Sequence, residues 1–131
     1  MSEVKDVLVV VVTGGRYFKD RSLVFHTLST LRAECRRCLV IIEGGCLTGA
    51  DALAREWLKL HKRPEFIEGM TEHADWNRHG RAAGPIRNRK MLEEYEPDLV
   101  VAFEGGRGTQ SCIDIAKELS ITVRKIRAVA C

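Results

Sequence analysis

The sequence predicts an α/β fold in which one parallel sheet carries helices on both faces. Three observations lead to this prediction. Apolar runs rich in β-branched residues recur along the chain, as in strands that are buried on both faces. Segments with apolar residues at helical spacing separate these runs, and three of the runs are closely followed by a glycine pair. Such β–α alternation is typical of a doubly wound sheet with right-handed crossovers.

The first half of the chain contains two strand–turn–helix units. Residues 7–12 predict the first strand, which ends at a Thr-Gly-Gly-Arg turn. Asp20 is placed to cap the next helix, whose apolar residues recur at helical spacing. Residues 39–42 predict the second strand, which runs directly into another glycine pair, and the helix after it extends to about His61.

The second half continues the alternation after a polar interruption. Residues 66–67 predict a short third strand, and residues 69–84 predict a long irregular loop, which in a compact domain is commonly functional. Pro85 suits the first turn of the helix that follows. The remaining predicted elements are a helix over residues 85–95, a strand over 98–103, a helix over 109–119 and a strand over 121–126.

These elements predict one domain over residues 1–131, with about five strands in the order 3-2-1-4-5. Ligands of such sheets bind at the carboxyl ends of the strands, where the order reverses. The first and fourth strands flank that point. We therefore expect Gly14 and Gly15 to face Gly105 and Gly106 across it.

Composition limits the classes of function. A net charge of +3 does not by itself indicate a polyanionic partner, although residues 77–92 contain no acidic residue. No apolar run approaches the roughly 18 residues of a membrane span. The start of the chain lacks a signal-peptide pattern. We expect a cytoplasmic protein without a membrane partner.

Cysteines and histidines do not predict a metal or a disulfide framework. The cysteines number five, and the Cys35–Cys38 spacing lacks a second ligand pair, so we interpret them as core and turn residues. His73, Asp75 and His79 lie in the predicted loop without the spacing of helical metal ligands. We expect neither a metal nor a cofactor.

The three glycine turns together predict a cradle for an anion. Glycine lets backbone approach a ligand closely, and the N-terminus of the following helix supplies free N–H groups and partial positive charge. None of the turns spells the dinucleotide fingerprint G-x-G-x-x-G. Gly44 and Gly49 have P-loop spacing, but Ala50 and Asp51 replace its Lys-Ser/Thr, which argues against a P-loop NTPase. The predicted ligand-binding residues in these turns are Gly14, Gly15, Arg16, Gly44, Gly45, Gly49, Gly105, Gly106, Arg107, Gly108 and Thr109.

Further residues complete the predicted site. Arg16, Arg87 and Arg89 carry guanidinium groups suited to a phosphate. Arg87, which Asn88 follows, is the best placed because it opens a helix beside the long loop. Asp51 either stabilises its helix N-terminus or accepts a hydrogen bond from a ribose hydroxyl or a substrate amine. Trp76 either stacks on a base or anchors its loop.

Six blocks of the chain, taken in order, resemble a known family. They are Val12-Thr13-Gly14-Gly15-Arg16, Gly44-Gly45 with Gly49-Ala50-Asp51, His73-Ala74-Asp75-Trp76, Ala83-Gly84-Pro85-Ile86-Arg87-Asn88, residues 97–103 and Gly105-Gly106-Arg107-Gly108-Thr109. Together they resemble the YspA-type, YpsA-related branch of the SLOG superfamily over nearly the whole chain. The resemblance implies a Rossmann-like fold, a nucleotide or nucleotide-derived ligand, and a homodimer or higher homo-oligomer.

The chain is more distantly similar to the Lonely Guy phosphoribohydrolases of that superfamily. Those enzymes cleave the N-glycosidic bond of nucleoside monophosphates and carry P-G-G-x-G-T-x-x-E with an upstream M-H-x-R-K. Residues 86–90 occupy the place of the second motif, which puts Arg89 at its functional arginine. Glu104 replaces the proline of the first motif, and Cys112 stands in place of the catalytic glutamate. Because such hydrolysis needs a carboxylate, Asp51 or Glu104 would have to supply it from another side of the site.

The sequence therefore indicates three possible functions. The first is binding of a small nucleotide-type ligand by a sensor or sequestering protein. The alternative is an N-glycosidase or nucleotide-processing hydrolase, with Asp51, Glu104 and Arg89 as its catalytic candidates. A second alternative, ranked last, is binding of single-stranded nucleic acid, for which the charge is modest and stacking aromatics are few.

Overall fold

One five-stranded parallel sheet forms the centre of the molecule. The computed structural model describes residues 7–35, 38–63 and 66–128. The strand order is β3-β2-β1-β4-β5, which confirms the predicted fold class and topology. The strands are β1 (Val7–Thr13), β2 (Cys38–Glu43), β3 (Ile67–Thr71), β4 (Leu99–Ala102) and β5 (Val123–Lys125).

Helices cover both faces of this sheet. They are α1 (Arg21–Glu34), α2 (Gly49–His61), the short α3 (Trp76–His79), α4 (Ala83–Tyr95) and α5 (Arg107–Glu118). Alternate residues of β1 point to opposite faces, so Val10 and Val12 pack with Trp57 of α2, while Val11 packs with Met91 of α4. One apolar layer therefore packs the sheet against α1 and α2, and the other packs it against α4 and α5.

The predicted helix start at Asp20 is confirmed. The Asp20 carboxylate accepts a hydrogen bond from the backbone N–H of Leu23 at 3.0 Å, which caps α1. Cys35 directly follows α1, and its thiol donates to the Cys38 carbonyl oxygen at 3.3 Å. Arg36 and Arg37 between these cysteines lie outside the described residues, as do residues 1–6, 64–65 and 129–131.

The predicted irregular loop over residues 69–84 is wrong. β3 continues to Thr71 because its backbone pairs with β2, with Gly69 opposite Ile41, so ladder hydrogen bonds rather than an apolar pattern define this edge strand. Asp75 then caps α3 by accepting from the N–H of Arg78 at 3.1 Å. A single turn of 3₁₀-helix leads into α4, which begins at Ala83 and keeps Pro85 in its first turn.

Among the helices of the described residues, none combines the length and apolar character that crossing a bilayer requires.

Candidate functional site

The first and third glycine turns touch across the point where the strand order reverses. The backbone N–H of Gly15, after β1, donates to the carbonyl oxygen of Glu104, after β4, at 2.9 Å. A Cβ placed on Gly15 would lie 3.0 Å from Cα of Gly105. A Cβ on Gly105 would overlap the Thr109 hydroxyl and lie 2.6 Å from the Gly15 nitrogen. The predicted juxtaposition of these turns is confirmed, and it leaves no room for side chains.

The loop after β2 closes on the same turn from the other side. The Gly15 carbonyl oxygen accepts a hydrogen bond from the N–H of Ala50 at 3.3 Å, and the Thr48 hydroxyl donates to the Arg16 carbonyl oxygen at 2.7 Å. Gly49 has a φ of +76°, and a Cβ there would overlap the Gly15 carbonyl oxygen. The Gly15 turn is therefore held between the other two turns by backbone contacts.

Arg87 and Asn88 of α4 connect the β2 turn to the β4 turn. Arg87 Nη1 donates to the Gly44 carbonyl oxygen at 2.5 Å, and its Nε donates to Asn88 Oδ1 at 2.8 Å. Asn88 Nδ2 in turn donates to the Gly108 carbonyl oxygen at 3.2 Å. A Cβ on Gly44 would overlap the guanidinium, so that glycine makes the contact with Arg87 feasible. In this arrangement Arg87 braces two turns.

Glu43 is a buried carboxylate at the end of β2 that sequence reasoning missed. Its side chain is 1% exposed and accepts from the N–H of Gly45 at 2.7 Å, from the Thr71 hydroxyl and from the Arg55 guanidinium. Arg55 also donates to the Cys46 carbonyl oxygen. These partners satisfy a charge that would otherwise destabilise the interior. A glutamate that ends an apolar strand run immediately before a glycine pair was the available signal.

Asp51 is the titratable group of the predicted site that the fold perturbs most. It lies buried in the first turn of α2, and its carboxylate accepts from the N–H of Cys46 at 3.3 Å. Burial raises the pKa of Asp51 to about 6, and the Cys46 N–H, Arg87 and Arg55 oppose that shift. The site therefore contains a carboxyl group that exchanges its proton near neutral pH.

Cys112 lies beneath the same site but is not an activated nucleophile. It is fully buried in α5, and burial raises the pKa of its thiol to about 11, against a smaller lowering by a hydrogen bond with the Thr13 side chain. Because the thiolate is the reactive form, this cysteine is an inert core residue at neutral pH.

The other predicted site residues fall into two groups. Arg16, Glu104, Gly106, Arg107 and Gly108 are exposed on the turns or at the start of α5, whereas Thr109 is buried beneath Gly105. Trp76 is half-exposed at the start of α3, and its ring lies 3.5 Å from a Cβ placed on Gly84.

Arg89 points toward α5 and away from the turns. It pairs with Glu118 of α5 at 2.7 Å and with Glu93 at 3.3 Å. It also lines a shallow surface groove of about 440 Å³, together with Pro85, Ile86, Ser111, Asp114 and Ile115. This groove contains none of the turn glycines. A second shallow groove, of about 330 Å³, lies where Leu60, His61 and Phe66 meet. The turns thus form an open cradle outside both grooves.

Asp51→Asn is expected to change how stability depends on pH. The pKa of this carboxyl is higher in the folded chain, about 6, than its ordinary value of 3.8. The folded state therefore holds the proton more tightly, and this stabilisation is complete below the lower value and is lost as the pH rises through about 6. Relative to the parent, Asp51→Asn should gain about 1–3 kcal/mol of unfolding free energy between about pH 4 and about pH 7.5.

Urea denaturation of both proteins at several pH values measures this difference. Glu104→Gln, which neutralises an exposed carboxylate on the neighbouring turn, is the matched control and should follow the parent. An Asp51→Asn curve parallel to the parent at every pH would show that Asp51 is not perturbed by the fold.

Comparison with known proteins shows the family to which the chain belongs. The sequence pattern of the YspA, cpYpsA-related SLOG family matches residues 8–79, which include β1, β2 and the turns that follow them. The chain is also similar to the gene 61 protein of Mycobacterium phage D29, with 34% identity over 117 residues that cover 87% of this chain and 92% of the phage protein. The chain therefore belongs to the YspA, cpYpsA-related SLOG family.

Proposed function

We propose that this protein binds a nucleotide or nucleotide-derived small ligand at its glycine turns and acts as a sensor or sequestering protein. The observation that carries the proposal is the backbone contact among the turns after β1, β2 and β4. Gly15 touches both Gly49 and Gly105, so the three turns meet through backbone rather than through side chains at one edge of the sheet. Membership of the SLOG family supports a nucleotide-related role.

The N-terminus of α5 supports binding of an anion at this edge, whereas at α2 the N–H of Ala50 already donates to the Gly15 carbonyl oxygen. Within the described residues, α1 and α3 are capped by the carboxylates of Asp20 and Asp75, whereas α2, α4 and α5 receive no side-chain cap. Thr48 precedes α2, but its hydroxyl donates to the Arg16 carbonyl oxygen instead. The first N–H groups of an α-helix lack partners within the helix, so they suit a phosphate.

The charges around the cradle agree with a phosphorylated ligand. Arg16 and Arg107 are exposed on the first and third turns and carry guanidinium groups suited to phosphate oxygens. In our proposal the phosphate lies at the N-terminus of α5, between these arginines. Asp51, in the first turn of α2, accepts a hydrogen bond from a sugar hydroxyl.

A ligand panel tests this function directly. Native mass spectrometry and thermal shift with the four common nucleoside 5′-monophosphates should give a bound complex and a raised melting temperature with at least one of them. The matching nucleosides, which lack the phosphate, are the controls and should bind far more weakly. Equal binding of nucleosides and nucleotides would contradict a phosphate cradle, and so would the absence of binding by every phosphorylated compound.

Asp51 also favours one alternative, an N-glycosidase-type hydrolase on the same site. A carboxyl whose pKa is raised to about 6 is suited to exchange a proton during glycosidic cleavage. Glu104 is exposed, and the thiol of Cys112 is neutral and buried. Asp51 is therefore the carboxylate on which this alternative depends. Chromatography of the same nucleotide samples would reveal release of free base, which Asp51→Asn should abolish; tight binding without release favours the binding protein.

A further inference from the structure

Two large apolar side chains beside the cradle are almost fully exposed. Tyr17, in the loop after β1, is 82% exposed, and Leu47, in the loop after β2, is 90% exposed. Among the other exposed large apolar residues that the structure describes, none exceeds the 62% of Leu60. The adjacent Phe18 is partly buried instead, because its ring packs on Phe103 at 5.3 Å between ring centroids.

One side-chain and one backbone hydrogen bond hold the loops of Tyr17 and Leu47 together. Thr48, next to Leu47, donates through its hydroxyl to the carbonyl oxygen of Arg16, next to Tyr17, at 2.7 Å. The Gly15 carbonyl oxygen accepts from Ala50 at 3.3 Å in the same junction. Tyr17 and Leu47 therefore flank one junction and form an apolar pair, the Tyr17–Leu47 pair, at the carboxyl edge of the sheet.

The position of this pair relative to the β4 turn matches the layout of a nucleotide. Neighbouring strands are spaced by about 4.8 Å, so the loops after β1 and β2 lie one and two strand spacings, about 5 to 10 Å, from the turn after β4. A ribose bridges a comparable distance between a phosphate and a base. A planar base also has apolar faces that an aromatic ring and an aliphatic side chain can cover.

We propose that the Tyr17–Leu47 pair binds the base of the ligand whose phosphate lies in the glycine cradle. This inference rests on the proposed function and adds a ligand class to it: a phosphorylated compound that carries a planar heteroaromatic ring. Arg16 separates Gly15 from Tyr17, so consecutive residues of one loop contact the phosphate side and the base side. Trp76, which the sequence predicts either to stack on a base or to anchor its loop, lies beside the first turn of α4, with its ring 3.5 Å from a Cβ placed on Gly84.

Isothermal titration calorimetry, which measures the affinity of each variant for two probes, tests the inference. Nucleoside 5′-monophosphates carry the base, whereas ribose 5-phosphate lacks it. Tyr17→Ala should lower the affinity for nucleoside monophosphates by about 5-fold to 100-fold, the usual effect of removing one stacking aromatic. The affinity for ribose 5-phosphate should stay unchanged. Leu47→Ala should act in the same direction. Tyr17→Phe, which keeps the ring, should bind like the parent.

Leu60→Ala is the matched control, because Leu60 is another exposed apolar residue but lies at the end of α2 that is remote from the turns. It should bind both probes like the parent. An equal loss of affinity for both probes in Tyr17→Ala would contradict the inference. Unchanged affinities in both Tyr17→Ala and Leu47→Ala would also contradict it. Loss of base preference in Trp76→Ala alone would assign the base to the other side of the cradle.

Two further outcomes are distinguishable. If the parent binds neither probe, the proposed function is wrong and this inference falls with it. If the parent binds both probes, and Tyr17→Ala changes only the mass measured by sedimentation, the Tyr17–Leu47 pair is a contact between copies of the chain. That result would overturn the base assignment and leave the phosphate cradle standing.

Discussion

Gly49→Ala should lower the free energy of unfolding by about 2 to 4 kcal/mol, a large effect for one added methyl group. Two costs combine at this position. The backbone of Gly49 has a φ of +76°, which a residue with a Cβ adopts at a cost, and the new Cβ would overlap the Gly15 carbonyl oxygen. Because backbone rather than a flexible side chain is the obstacle, the turns after β1 and β2 must separate.

Urea denaturation followed by tryptophan fluorescence measures this loss, since Trp57 is buried in the core. Gly108→Ala is the matched control. A Cβ on Gly108 would meet no atom within 4 Å, and the residue is the second of α5, where alanine is the better helix former. The control should be neutral or stabilising by less than about 1 kcal/mol. Equal stability of the two variants would refute the tight contact between the turns.

The strand order was predictable from sequence because the central strands are buried on both faces. The centre of β1 is buried on both faces, and residues 9–12 are accordingly four consecutive valines. The contact of Gly15 with Gly105 was also predictable, since it follows from strand order alone. β3 was predicted too short, because it lies at the sheet edge, where Glu68 and Thr71 are compatible with backbone pairing.

The side-chain contacts of the site were less accessible to sequence reasoning. Arg87 was predicted from sequence as a phosphate clamp, but its bond to the Gly44 carbonyl oxygen depends on how α4 lies against the β2 turn. The exposure of Tyr17 depends on which of two adjacent aromatic residues, Tyr17 or Phe18, turns into the core. Tertiary packing determines both contacts, so the spacing of residues in the sequence does not predict them.

The second large effect is expected on ligand binding at Gly106. Gly106 precedes α5, and a Cβ there would meet no atom within 4 Å, so a larger side chain has space at this position. Gly106→Asp places a carboxylate where the proposed phosphate lies. Two like charges about 4 Å apart repel by several kcal/mol near a protein surface, so binding of nucleoside monophosphates should weaken by about 100-fold or more.

Gly106→Asn distinguishes the effect of charge on binding from the effect of side-chain size. Asparagine has the shape of aspartate without its charge, and both are good N-cap residues, so both variants should remain within about 1 kcal/mol of the parent in stability. Their stabilities, measured by urea denaturation, show whether any loss of binding arises from misfolding. With folding controlled in this way, the two variants differ mainly in one negative charge at the N-terminus of α5.

The most direct measurement is therefore calorimetric titration of the parent, Gly106→Asn and Gly106→Asp with the nucleoside monophosphate that the parent binds most tightly. If the glycine turns cradle its phosphate, Gly106→Asn should retain most of the affinity and Gly106→Asp should lose it. Undiminished binding by a stably folded Gly106→Asp protein would show that the phosphate lies elsewhere and would contradict the proposed site.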